Sequence, residues 1–368
     1  MQVGDVYSNR FPVTGDWSLA AGSWFHFVMR QVVITRHGSP EVLEPRDSSD
    51  PTPGDGEVRV AVRAAGVNFA DILARLGLYQ DAPPPPVVVG YEIAGYVDAT
   101  GPGVVNRHEG DHVLALTRFG GYSTSIVVPA GQTFPVPPGL SDAEAAAVPV
   151  NYLTALLALY RMANVAAGET VLVHNAGGGV GIAATQLARL RRATIIGTAS
   201  SAKHDAIRSF GADHAVDYRR ADVAAEVRRL TRDRGVDVAL DPIGGRSFAT
   251  SYALLAPLGR LVVYGVSSIA PGERRNWWHA ARGLMQMPSF RPLSLMNSNR
   301  TVIGLNLGHL WDERRQIAAA MELLLAEIGA GRLKPVIAKT FPLERAADAH
   351  RYMQSRSNIG KVILTTGV

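Results

Sequence analysis

Residues 174–190, HNAGGGVGIAATQLARL, hold four glycines within the five positions 177–181. Their flanks decide what such a loop can do. Val171–Val173 form an apolar, strand-like run before it, and Val180, Ala183, Leu187 and Leu190 follow at the spacing of one helix face. Glycines at a strand-to-helix turn let the backbone approach a pyrophosphate, and the helix start presents free N–H groups and partial positive charge. The literal G-x-G-x-x-G spacing fails, because Ile182 stands where its last glycine belongs. What matches is Asn175-x-x-Gly178-x-x-Gly181, with Gly177 and Gly179 between. A flexible turn without a ligand reads the same in isolation. As the first turn of a βαβ series, these residues predict a dinucleotide site with Asn175, Gly178, Gly179, Val180 and Gly181 as its contacts.

An NAD site places Asp or Glu about 20 residues further on, bonded to the ribose 2′-hydroxyl. Here that place reads GTASSAK, with Ser200, Ser201 and Lys203 and no acid before Asp205. Hydroxyls and a cation suit a 2′-phosphate, and Tyr218 and Arg219 follow the third strand, where they close the same pocket. A solvated lysine would look no different alone, but the missing acid and the present cation together favour NADPH. Open α/β sheets bind ligands at strand carboxyl ends. This adds Thr154 near the phosphates or nicotinamide, Tyr264 and Gly265 after the fifth strand, and Asn306 after the sixth.

The elements that must position these residues fall into two kinds. Residues 29–152 read as short β-strands punctuated by Gly, Pro and Asp, and predict an antiparallel barrel. Residues 153–305 alternate apolar strands with amphipathic helices, which predicts a doubly wound parallel sheet. Residues 306–368 hold a long helix and strand-like pieces ending in GKVILTT. Residues 1–28 lack the basic start and apolar core of a signal peptide and read as a loose extension whose deletion spares activity.

Bulk composition narrows the function classes. The chain has 368 residues, 47% of them hydrophobic and 19% charged, with a net charge of +5 spread along its length, so nucleic-acid binding is not expected. With no cysteine, disulfides, thiolate zinc sites and cysteine nucleophiles are excluded, which fits a cytoplasmic protein. No apolar stretch reaches the roughly 20 residues that span a bilayer.

These stretches, in order, resemble the zinc-independent quinone oxidoreductase branch of the medium-chain dehydrogenase/reductase superfamily. The resemblance rests on AGVNFADILARLGLYQ (65–80), VVVGYEIAGYV, GDHVLAL, VPVNYLTALLALY, VLVHNAGGGVGIAATQLA, FGADHAVDY, DPIGG and SRSNIGKVILT, and covers residues 29–368. NWWHAARGLMQMPSFRPLSLMNSNRTVIGLNL looks most like the vesicle amine transport protein subgroup. The resemblance implies a GroES-like β-barrel catalytic domain, built from 29–152 and the 306–368 return, around a Rossmann domain at 153–305. It also implies a cleft between them and a homodimer. Zinc-dependent relatives carry Gly-His-Glu where this chain has GYE, with Tyr91 at the ligand position. Asn175 replaces a usual small residue, which its tolerance of left-handed backbone permits.

Without those metal ligands no Lewis acid polarises an alcohol. A quinone or α,β-unsaturated carbonyl needs less help, because conjugation spreads the incoming charge. By the resemblance, Asn68 and Tyr79 border the nicotinamide and substrate. An amide there holds a carbonyl, and a phenol stabilises developing oxyanion charge. Asn68 also reads as an N-cap, Tyr79 as a half-buried barrel aromatic, and Asp71 as an exposed helix acid. Asn358 and Lys361 are expected, by the resemblance, to reach the adenine-side phosphates. Residues 273–300 combine Trp277, Trp278, Met285, Met287 and Phe290 with five arginines. They read as an insertion packed on the cleft or a dimer partner, the alternative being contact with an anionic membrane surface.

The reading is an NADPH-dependent reductase of quinones or enones. Its alternatives are an enoyl-thioester reductase of a lipid or polyketide pathway, and a weakly catalytic NADPH-binding regulatory or trafficking protein.

Overall fold

The computed structural model describes residues 28–367. The expectations for residues 1–28 fall, Val28 apart, outside the described residues. Strands β1 (Val28–Ile34) and β2 (Leu43–Ser49) pair antiparallel. In β3 (Glu57–Val67), Val58, Val60 and Val62 are buried while Glu57, Arg59 and Ala61 between them are only half-covered, the period-two pattern of a sheet with one inner face.

Helix α1 (Phe69–Leu76) follows at once. It starts in a capping box between Asn68 and Asp71 and stops at Gly77, whose φ of 68° is the left-handed conformation that favours glycine there. Its Ile72, Leu73 and Leu76 are buried, each contributing about 1.5–3 kcal/mol of apolar burial. Next come β4 (Val87–Val88), β5 (Glu92–Thr100), β6 (His112–Leu116), β7 (Ser125–Pro129) and β8 (Thr133–Pro135). Helices α2 (Asp142–Ala145) and α3 (Pro149–Leu156) then lead out of this part. The run Asp142–Met162 is long and apolar enough to cross a membrane by composition, but 78% of its most apolar window is buried inside the protein, as in a core helix.

The next six strands are β9 (Thr170–Val173), β10 (Thr194–Ala199), β11 (His214–Asp217), β12 (Val236–Asp241), β13 (Leu255–Val263) and β14 (Thr301–Gly304). They form one parallel sheet in the order β11-β10-β9-β12-β13-β14. Four helices connect them: α4 (Gly179–Leu190), α5 (His204–Ser209), α6 (Val223–Thr231) and α7 (Arg246–Ala253). Strand order reverses between β9 and β12, which opens a crevice at their carboxyl ends. Between β13 and β14 lie α8 (Trp277–Met285) and α9 (Pro292–Ser298).

After β14 the chain runs through α10 (Arg314–Gly329) and β15 (Ile337–Pro342), then α11 (Ala346–Gln354) and β16 (Lys361–Thr365). Both strands return to the first part, where β16 pairs antiparallel with β3. The sheet there runs β15-β16-β3-β5-β6-β8, with β7 also on β3. The largest core joins the two parts through Leu153 and Leu156 of α3, Ala183 and Leu187 of α4, and Met321 and Leu324 of α10.

Candidate active site

The glycine loop is the tight strand-to-helix turn that the sequence predicts. Asn175 has φ +53°, in the left-handed region, and its carbonyl accepts the Gly178 N–H at 2.9 Å. A Cβ on Gly181 would stand 2.2 Å from the Asn175 carbonyl oxygen, and one on Gly179 2.3 Å from Asn151 Nδ2. Neither site admits a side chain. The first N–H groups of α4 have no intrahelical acceptor and no side-chain cap, so they are free for an anion. Beneath the loop His174 is buried between Thr198 Oγ1 (3.2 Å) and Ser251 Oγ (3.0 Å). Burial lowers its pKa and keeps it neutral. Ser251 and Ser247 both donate to Asp241, at 2.7 and 2.6 Å.

At the ribose end β10 stops at Ala199 and Ser200 opens a short turn. Lys203 is half-buried beside Gly177, and its Nζ donates to the Asn358 carbonyl at 2.6 Å. Burial, and then Arg219, lower its pKa. Tyr218 is exposed with the Arg219 guanidinium 5.8 Å from its ring. Asp217 stands at this edge, but its carboxylate accepts the Ser201 and Arg219 backbone N–H groups at 3.2 and 2.9 Å. The free polar groups here are therefore hydroxyls and cations.

Asn68 lies at the start of α1, facing β5 and β16. Its Oδ1 accepts from Lys361 Nζ at 2.6 Å, and its Nδ2 donates to Glu92 at 2.9 Å. Lys361 also pairs with Glu92, whose other oxygen accepts the Val150 N–H at 2.7 Å. Glu92 is wholly buried and Lys361 is 3% exposed. This corrects the expectation that Lys361 reaches the phosphates, since a buried carboxylate needs a cation and Lys361 supplies it. The amide of Asn68 is likewise occupied within the protein. Asn358, the residue expected beside Lys361, presents its carbonyl to Lys203, and its side chain turns back to Gly360. Two residues after Asn358 this segment bonds the loop directly, Gly360 N to Gly177 O at 2.9 Å.

Asp71 requires a second correction. It is fully buried, because its carboxylate accepts the N–H groups of Asn68 (2.7 Å) and Gly90 (3.1 Å) and the Tyr122 hydroxyl (3.0 Å). Desolvation pushes its pKa up to about 7 despite these donors. Tyr122 Oη also meets His350 Nε2 at 3.1 Å, and burial holds that imidazole neutral.

Tyr79 is half-buried against Tyr91, edge-on at 6.2 Å between ring centroids. Burial and the neighbouring Asp81 carboxylate push its hydroxyl up to about 12, so it stays a phenol. The Tyr91 hydroxyl is buried with no hydrogen-bond partner among the described residues. A cleft of about 660 Å³ opens beside this group, lined by Phe248, Tyr264, Gly265, Asn306 and His309. Asp81 accepts from His309 Nε2 at 2.9 Å and from Asn306 Nδ2 at 3.4 Å. Thr154 is buried on α3. Among the described residues no three His, Asp or Glu side chains gather as a metal site.

Sequence reasoning missed Glu92, Asn151, Asp81 and His309. Glu92 stands within GYE, next to the tyrosine at the metal-ligand position. The other three carry no local pattern.

The insertion packs inward through Ala280 of α8, beside Ile72, Leu73 and Leu76 of α1. Its outer side leaves Trp278 88% and Met285 80% exposed.

Comparison with known proteins fits this geometry. Residues 54–138 match the alcohol dehydrogenase GroES-like domain, and 210–364 the zinc-binding dehydrogenase family. The human synaptic vesicle membrane protein VAT-1 homolog is 41% identical over 343 residues, 92% of this chain and 87% of that protein. The chain belongs to the medium-chain dehydrogenase/reductase superfamily. Its fold is the superfamily's GroES-like domain with a Rossmann-like parallel sheet. Escherichia coli quinone oxidoreductase, solved with NADPH, superposes with a TM-score of 0.80 at 29% identity, covering 91% of this chain and 99% of that one. CurK enoyl reductase does so with 0.80 and 29%, covering 92% and 99%. Membership and these neighbours make the protein an oxidoreductase of a family that uses a nicotinamide cofactor.

Proposed function

We propose that the protein is an NADPH-dependent, zinc-independent reductase of a quinone or an α,β-unsaturated carbonyl compound. The observation that carries this reading is the neutral phenol of Tyr79, held beside a cleft at the carboxyl ends of the parallel strands.

The donor set fits the dinucleotide. The uncapped N–H groups of Gly179, Val180 and Gly181 suit its pyrophosphate, and Asn151 Nδ2, facing Gly179, adds an amide donor. Ser200, Lys203, Tyr218 and Arg219 suit a 2′-phosphate. When bound, the nicotinamide supplies a hydride. The protein's own groups do the rest. Asn68, Glu92 and Lys361 form a buried, mutually satisfied wall that fixes α1 against β16, and with it the start of the segment carrying Tyr79. The phenol then donates a hydrogen bond to the substrate oxygen as negative charge develops there. Tyr264, Phe248 and Leu157 line the cleft and exclude water.

An NADPH-oxidation screen against quinones and short enones, with and without chelator, tests the reading. Turnover unaffected by chelator is expected; NADPH binding with no oxidation of any acceptor overturns it. A second reading, reduction of an enoyl thioester, draws on the likeness to CurK enoyl reductase and to the Streptomyces venezuelae polyketide synthase component PikAII, 37% identical over 330 residues. Enoyl thioesters in the same screen separate the two.

A further inference from the structure

The reduction of a conjugated acceptor needs a proton as well as a hydride, and Tyr79, Asp81 and His309 stand together where it would enter. Tyr79 and Asp81 come from the segment after α1. His309 comes from the turn after β14, on the other side of the cleft. His309 Nε2 bonds Asp81 at 2.9 Å, Asn306 Nδ2 holds the same carboxylate oxygen at 3.4 Å, and Asp81 lies beside the Tyr79 hydroxyl. The turn is built for this approach: Asn306 caps it through the Gly308 N–H at 3.0 Å, and a Cβ on Gly308 would come within 3.1 Å of Tyr79 Oη. His309 is 62% exposed at its side chain and also lines the cleft. The charged group that shares the cleft with it is Arg161, from the helical segment after α3.

We propose that His309 and Asp81 form a relay carrying protons from solvent to Tyr79. The inference rests on the reductase reading. In it the O–H bond of Tyr79 breaks as an O–H bond forms on the enolate oxygen of the reduced acceptor. The phenolate regains a proton from Asp81, which takes one in the same movement from Nε2 of the His309 imidazolium. Water then reprotonates the imidazole. One proton moves through each residue, and no electron does. Asp81 and His309 act through Tyr79 and are positioning and supply residues.

Steady-state kinetics on the full chain tests the relay with the best acceptor of the screen. In His309→Gln, kcat falls by at least about tenfold while KM for NADPH stays put, the fall in rate on the alkaline side of the pH profile disappears, and added imidazole restores turnover. A purely structural loss would not be rescued. A second readout needs no cofactor. Long-range 1H–15N NMR finds neutral His309 protonated on Nε2 in the wild type, and mixed tautomers in Asp81→Asn. An active wild type whose His309→Gln variant keeps its kcat and pH profile overturns the relay alone. So does a slow variant that imidazole does not rescue, or a tautomer unmoved in Asp81→Asn. A wild type that turns over no acceptor overturns the reductase reading, and the relay with it.

Discussion

Lys361 Nζ donates to Asn68 Oδ1 at 2.6 Å, so the first residue of β16 is tied to the N-cap of α1 across 293 positions of sequence. The same ammonium neutralises Glu92, which is wholly buried. Removing one partner of such a pair strands a charge in a low dielectric. Lys361→Met should therefore cost about 3–5 kcal/mol of stability, measured by urea unfolding. The double variant with Glu92→Gln should recover most of that loss. A single variant within about 1 kcal/mol of wild type shows that the pair does not hold the interface.

The glycine loop predicts a contrast between positions. Gly181→Ala drives a methyl group to 2.2 Å from the Asn175 carbonyl oxygen, whereas at Gly131 a Cβ meets nothing within 4 Å. The first must open the turn that aims the α4 N–H groups. It should weaken NADPH binding by at least about tenfold, or 1.4 kcal/mol, read by fluorescence titration. Gly131→Ala should leave binding unchanged. Equal affinities in both variants would mean that the loop does not hold the pyrophosphate.

On the proposed reading, Lys203 sets the choice of dinucleotide. In Lys203→Ala the 2′-phosphate loses a charge-assisted bond worth about 1.5–3 kcal/mol, so NADPH affinity should fall about 10- to 150-fold. NADH, lacking that phosphate, should bind as before. Calorimetric titration with both cofactors decides it, and a parallel loss for NADH would assign Lys203 to the Asn358 carbonyl alone.

Local pattern made much of this legible. Alternation in EVRVAVRAAGV gives β3, and the flanks of the glycine run give the turn and α4, with the left-handed Asn175 that asparagine tolerates. What stayed hidden depends on partners far along the chain. Asp71 looks like an exposed first-turn acid until Gly90 and Tyr122, 19 and 51 residues away, bury it. Lys361 looks free until Glu92 claims it. Asp81 and His309 meet only because the turn after β14 folds over the segment after α1. Periodicity reports which face of an element is buried; it carries no information on which side chain waits opposite.

Three fully buried groups contribute to stability on the acid side. Burial lowers the folded-state pKa of His174 and His350 below the ordinary 6.5. As pH falls below 6.5 the unfolded chain therefore takes up two protons that the folded chain does not, and stability is lost. Asp71 opposes them. Its folded pKa is raised from 3.8 to about 7, so the folded chain binds one extra proton between those values and gains stability as pH falls. Just below pH 6.5 the two imidazoles outweigh the one carboxyl, so the unfolded state takes up more protons than the folded one and stability falls as the pH is lowered. Urea midpoints measured there should fall with it. Asp71→Asn removes the opposing group and should steepen the fall. A flat wild-type profile would show that the two imidazoles are not held neutral inside the fold.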